Sequence, residues 1–213
     1  LSNSKKKIYT NITFVDIAGL VKEASKGEGL GNKFLSHIRE VDAIIHLVRC
    51  FDLDKITHVN SKINPVEDLE TIKTEIILSD IDIVQKKLEK SKKKLLQEKE
   101  IKILEEKLKQ LNEGKEATTN DEVEKKFLTT LGLLSIKPKI IVCNVDEESL
   151  VKGNAFTESV KKKYSNHKIV TICADIEDQI MGLDNDERET FMKEIGLDKT
   201  GLNQLIKEGY DLL

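Results

Sequence analysis

Apolar residues fall into two rhythms along the chain. Four short runs have strand character. Ile8 to Val15, I-Y-T-N-I-T-F-V, alternates and is rich in β-formers. Ala43 to Val48, A-I-I-H-L-V, is nearly continuous, as expected of a strand buried on both faces of a parallel sheet. Lys139 to Cys143 and Lys168 to Cys173 read the same way. Between them the rhythm is helical. Phe34, Leu35 and Ile38 give Ala24 to Glu40 a narrow apolar face. A helix opening at Pro65, with Asn64 as its cap, runs through Ile72, Ile76, Ile77, Ile81, Val84 and Leu88. Ile101, Leu104, Leu108 and Leu111 then repeat at 3-4-3 spacing, a coiled-coil seam. The phase breaks between Leu95 and Ile101 without Gly or Pro, which allows a continuous helix or a tight hairpin. Asn112 to Asn120 is a clear break. Val123–Leu131, Asn154–Tyr164, Asp184–Ile195 and Gly201–Leu212 complete the helices. The pattern predicts an α/β fold: a mostly parallel sheet with an inserted α-helical arm. Any ligand site would lie beyond the carboxyl ends of the strands.

Charge sharpens the picture of the arm. The chain carries a formal net charge of −3, so as a whole it is no polyanion binder. Gln85 to Phe127, however, holds thirteen Lys against ten Asp and Glu, the composition of a solvated helical element. Three Cys without a C-x-x-C pattern point to a reducing, cytoplasmic setting. No apolar run approaches a membrane-spanning length, so no membrane partner is expected. Leu1 to Lys7 has no apolar core of a signal sequence, and the chain reads as a piece lacking its start.

Candidate chemistry gathers at the predicted strand ends. Asp16 to Lys33, D-I-A-G-L-V-K-E-A-S-K-G-E-G-L-G-N-K, follows the first apolar run and holds four of the chain's eleven glycines. An Asp-x-x-Gly at a strand end suits a γ-phosphate sensor. Asp16 would reach Mg²⁺ through water, and Gly19 would let its N–H approach a phosphate without a Cβ in the way. An ordinary turn uses the same residue types. Asn144 follows the Lys139–Cys143 strand, and Cys173-Ala174-Asp175 ends the next. A doubly wound sheet would bring these loops to one crevice. Asn144-Val145-Asp146-Glu147 sits where guanine-nucleotide proteins carry Asn-Lys-x-Asp. There the Asp accepts from guanine N1–H and the N2 amine. Glu147 is longer and should not reproduce that contact, so ATP is expected to be tolerated or preferred, with GTP weaker. A plain strand-end turn is the alternative.

F-V-D-I-A-G-L-V-K-E-A-S-K-G-E-G-L-G-N-K-F-L (Phe14 to Leu35) continues into I-R-E-V-D-A-I-I-H-L-V-R-C-F (Ile38 to Phe51). With N-P-V-E-D-L-E-T-I-K-T-E (Asn64 to Glu75), N-V-D-E and G-L-N-Q-L-I-K-E-G-Y-D-L-L, these blocks resemble the YchF-type Obg-like ATPases, a translation-factor branch of the P-loop NTPases. The resemblance covers nearly the whole chain. It implies a G-type nucleotide-binding domain over residues 1–78 and 133–213, with a coiled-coil arm inserted at 79–132. It also implies Mg²⁺-dependent ATP hydrolysis and association with ribosomes. No G-x-x-x-x-G-K-S/T is present, and Gly27 to Lys33 has the wrong spacing, with Phe34 where Ser or Thr would ligate Mg²⁺. By the family plan, the phosphate loop would precede Leu1 and a TGS domain would follow Leu213. A polypeptide of these residues only is therefore expected not to hydrolyse ATP, whereas the intact parent should.

The resemblance assigns further roles. Leu20 follows Gly19 where Ras-like proteins carry the water-orienting Gln, and an aliphatic side chain cannot position water. His58, by family analogy, is a candidate for that role, beside the plainer reading of an exposed loop histidine. Asn144, Val145 and Glu147 would read the base, and Cys173 and Ala174 would offer it backbone N–H. His46 reads as a core histidine, and His37 and His167 as surface residues. The cysteines otherwise read as small apolar packing. Lys86 to Lys94 has six Lys in nine positions and could meet RNA phosphates non-specifically, or be a solvated coiled-coil face. No aromatic residue is interleaved there to stack bases. Two other readings stay open: a non-catalytic interaction module using the arm, and a GTPase with relaxed base choice.

Overall fold

The computed structural model describes residues 11–16, 35, 37–52, 63–91 and 97–213. Among these, β1 (Ile44–Arg49), β2 (Lys139–Asn144) and β3 (Lys168–Ile172) form a parallel sheet in the order β1-β2-β3. The register sets Val48 beside Cys143 and Cys143 beside Thr171, so all three strands end at one edge.

β2 is central and its apolar residues are buried on both faces, as its continuous apolar run requires. One face presents Val48, Ile141 and Cys143 to Leu69, Val160, Ile176 and Ile180. The other presents Ile140, Val142 and Val170 to Leu205. β1 departs from the expectation of burial on both faces. The helix carrying Leu205 covers β2 and β3 but not Ile45 and Leu47, and Leu47 is 61% exposed. An apolar run reports β-character; it does not report how far the covering helix extends. The expected Ile8–Val15 strand also fails within the described residues. Residues 11–16 have no regular structure, and Phe14 and Val15 are exposed. A strand needs a partner as well as a pattern, and β1 does not pair with this segment.

Helix α1 (Pro65–Ser91) begins as the sequence indicates: Asn64 Oδ1 accepts from Glu67 N at 3.2 Å. It packs against α2 (Glu98–Asn112), with Ile77, Val84, Leu104 and Leu111 in one apolar cluster. Two packed helices, not one continuous rod, answer the phase break; residues 92–96 between them lie outside the described residues. Gln97 opens α2 with a capping box, its N–H donating to Glu100 Oε2 at 2.8 Å. Helix α3 (Glu122–Thr130) adds Leu128 to the same cluster.

After β2 come α4 (Glu147–Lys152) and α5 (Ala155–Lys163), then β3, α6 (Ala174–Met181), α7 (Asn185–Glu194) and α8 (Gly201–Leu212). Asn154, Asp184 and Thr200 cap α5, α7 and α8 at the predicted starts. The short helices α4 and α6 were not expected: each offers few apolar positions, too few to set a period. No helix of the described residues is long and apolar enough to cross a membrane.

The arm root is fixed by a buried carboxylate. Asp80 of α1 is 0% exposed. It accepts from Leu134 N and Ser135 N, both at 2.8 Å, and from Ser135 Oγ at 2.5 Å. The chain leaving the arm is thus pinned to the helix that enters it.

Candidate functional site

The carboxyl edge of the sheet gathers the predicted base-reading residues. Asn144 ends β2, and its Oδ1 accepts from Ala174 N at 3.1 Å, across 30 residues of sequence. Val145 N donates to Ile172 O at 2.8 Å. Cys50 N donates to Asn144 O at 2.7 Å, and Asn154 Nδ2 donates to Cys50 O at 2.7 Å. Three strand ends are therefore stitched into one rim.

Helix starts decide which rim carboxylates stay free. Asp146 is the N-cap of α4, its Oδ1 accepting from Ser149 N at 2.8 Å, so this oxygen is already engaged. Glu147, the first residue of α4, is exposed. Among the described residues its Oε1 has only a long contact from Gln179 Nε2, 3.4 Å, which leaves the carboxylate able to meet a ligand. Ala174 opens α6 at the rim, and its own N–H is already taken by Asn144 Oδ1. Val145, by contrast, is buried among Val48, Cys143 and Ile176, and only its backbone faces the rim loops.

The cysteines lie beneath the rim and are all buried. Burial pushes the Cys173 thiol up. A hydrogen bond shared with Cys143, then burial, holds Cys50 well above the ordinary thiol range. The neutral Cys50 and Cys173 thiols pack as small apolar groups. Cys173 can therefore contribute backbone to the rim but no reactive sulfur.

Helix α8 supports the same edge from behind. Gly201 N donates to Glu177 Oε1 at 2.6 Å. A Cβ on Gly201 would lie 2.5 Å from Ile172 Cγ2, so only glycine lets the helix start approach β3 this closely.

Of the other sequence-derived candidates, Asp16 is exposed and shares no hydrogen bond with Asn144 or Ala174 among the described residues. Gly19, Leu20 and His58 lie outside the described residues. His46 is a half-buried strand residue lining a cavity of about 30 Å³ with Lys139, Glu116 and Tyr164, room for about one water. Burial, then Lys139, lowers its pKa from 6.5 to about 4, so it is neutral. His37 and His167 are exposed, and His167 sets its ring edge-on to Tyr164 at 5.4 Å. Among the described residues no group of three or more His, Cys, Asp and Glu could hold a metal ion.

Sequence reading missed the Gln179 contact to Glu147 and the Asp80 clamp. Asp80 did leave a trace: it stands between Ile76 and Val84 at four-residue spacing, a polar residue on an apolar helix face.

A family model described as "50S ribosome-binding GTPase" matches residues 2–144. The chain is 42% identical over 226 residues to the "Ribosome-binding ATPase YchF" of Bacillus subtilis (strain 168), covering 100% of this chain and 61% of that protein. It is 41% identical over 218 residues to the protein so named in Escherichia coli O157:H7, covering 98% and 60%. The chain thus spans about three fifths of the length of these curated relatives. Among solved structures, the Schizosaccharomyces pombe YchF GTPase superposes with a TM-score of 0.79 at 30% identity, over 92% of this chain and 57% of that one.

Proposed function

This chain belongs to the 50S ribosome-binding GTPase family, as a homologue of the YchF proteins, and we propose that it forms the base-reading and arm-bearing part of an ATP-hydrolysing molecular switch. The observation that carries the reading is the joined rim. Asn144 Oδ1 meets Ala174 N at 3.1 Å, with the Glu147 carboxylate exposed beside them. In this reading Asn144 and the Ala174 loop hold the base. Glu147 stands at the fourth position of the base motif, one methylene longer than Asp. It would not pair bidentately with guanine N1–H and N2, so ATP is preferred over GTP.

Gly19 would contact the γ-phosphate, and His58 would take the water-positioning role that Leu20 cannot fill. Asp16 would hold Mg²⁺ through a water. An exposed carboxylate in an irregular segment fits that ion, which keeps several waters and needs one or two carboxylates beside the phosphates. When bound, Mg²⁺ neutralises phosphate charge. The nucleotide-binding unit is residues 1–78 and 133–213, and 79–132 form the arm. The names of the relatives support a ribosomal partner, and a cytoplasmic location fits that reading. Lys86 to Lys94 would add non-specific RNA contact there; Lys86 and Lys90 are exposed, and Lys86 pairs with Asp82 at 2.7 Å. A relaxed GTPase remains the second reading, because the solved relative is named a GTPase.

Titration of the natural full-length polypeptide with fluorescent ATP and GTP analogues tests the choice. ATP should bind more tightly, and Glu147→Asp should move the preference toward GTP by about tenfold, one strong contact's worth. An unchanged ratio in that variant would sink this account of base choice.

A further inference from the structure

We infer that Arg39 is a positioning residue that joins the switch side of the domain to both roots of the arm, so that the nucleotide state of the Asp16–Lys33 segment reaches the arm through it. This rests on the switch reading proposed above.

Residues 37–40 are helical and follow that segment closely in the chain. Leu35 and Ile38 are buried with Ile44 of β1, Ile76 of α1 and Leu134 of the loop leading to β2. Movement of this turn must therefore displace side chains of both arm roots, because close-packed interiors transmit strain. Arg39 adds directed contacts. Its Nη2 donates to Ser79 Oγ at 2.6 Å, on the root where the arm begins. Its Cδ would lie 3.6 Å from a Cβ on Gly132, on the root where the arm returns. Lys137 Nζ closes the joint by donating to Arg39 O at 3.1 Å and to Val41 O.

The neighbouring Asp80 clamp makes a useful contrast. Asp80 takes three donors from the opposite root and is fully committed. Among the described residues the Arg39 side chain is held by one hydroxyl, and its buried Nε finds no acceptor. A buried N–H without a partner is costly, so any rearrangement that supplies one is favoured. The clamp holds the two roots together as one body; Arg39 is the contact free to re-pair when the switch side moves.

Hydrogen exchange of α1 and α2 in the natural full-length polypeptide, with and without the non-hydrolysable ATP analogue AMPPNP, tests the joint. In the wild type AMPPNP should change exchange in α1 about fivefold or more, the usual scale of site-to-site coupling. Arg39→Ala should abolish that change while AMPPNP affinity stays within about threefold, and Arg39→Lys should restore part of it. Ser79→Ala removes the same contact with little risk to folding and should also abolish it. Persistence of the change in both Arg39→Ala and Ser79→Ala overturns the inference, as does its absence in a wild type that binds AMPPNP. A wild type that fails to bind AMPPNP overturns the switch reading itself.

Discussion

The two ends of the sheet use their polar groups in opposite ways. At the arm root, Asp80 and Lys107 are buried and committed. Lys107 is 2% exposed and donates to Thr118 O at 2.9 Å. Glu124 Oε1 lies 2.6 Å from the same ammonium, off the line of donation, as an ion pair. At the carboxyl rim, Glu147 and Ala174 are exposed, and among the described residues each of these two is tied to a side chain by one bond, of 3.4 and 3.1 Å. Buried polar groups must be satisfied internally, so they fix geometry; exposed ones can exchange water for a ligand at little cost to the fold. The root therefore behaves as structure, whereas the rim is open to a ligand. Mutation should separate stability from binding along that line.

The largest effect is expected at Asp80. Asp80→Ala strands Leu134 N–H, Ser135 N–H and the Ser135 hydroxyl in a buried site. It should cost about 3–5 kcal/mol in urea unfolding; a loss under about 1 kcal/mol would erase the contrast between the ends. Next comes acid sensitivity on the amino half of the sheet. His46 has its pKa lowered from 6.5 to about 4, so between these values the unfolded chain binds a proton that the fold refuses. Stability should therefore fall as pH drops from about 6.5 to about 4, by up to about 3 kcal/mol. His46→Gln should flatten this part of the profile, and an equally steep slope in that variant would assign it elsewhere. The smallest stability effect belongs to the rim. Asn144→Ala removes one part-exposed acceptor and should cost about 1 kcal/mol or less, while weakening ATP binding about tenfold. A stability loss as large as that of Asp80→Ala would show the rim to be structural after all.

Much of this architecture is written in local pattern. Asn64, Asn154 and Asp184 each stand one residue before a helix and cap it, because capping needs only a side chain and the next turn. The 139–143 apolar run is the central strand. That Asn144, Glu147 and Ala174 share one rim was legible because strand ends in a parallel sheet share an edge. What pattern could not supply was partnership. Ile8–Val15 alternates like a strand, yet residues 11–16 are unpaired. Ile45 and Leu47 look like core, yet α8 does not reach them.

The sequence by itself determined the element types, the helix starts, the polar strand ends and the family blocks. All of these depend on near neighbours in the chain. The tertiary structure decided that α1 and α2 fold back as a pair, that Asp80 reaches Ser135 across 55 residues, and that Asp146 is consumed as a cap beside an exposed Glu147. It also decided that Arg39 reaches Ser79 at the start of the arm, while Lys137 beyond its end donates to the Arg39 carbonyl. Such contacts depend on where loops return and which hydrogen bonds are already used, and residue order alone does not encode those distances.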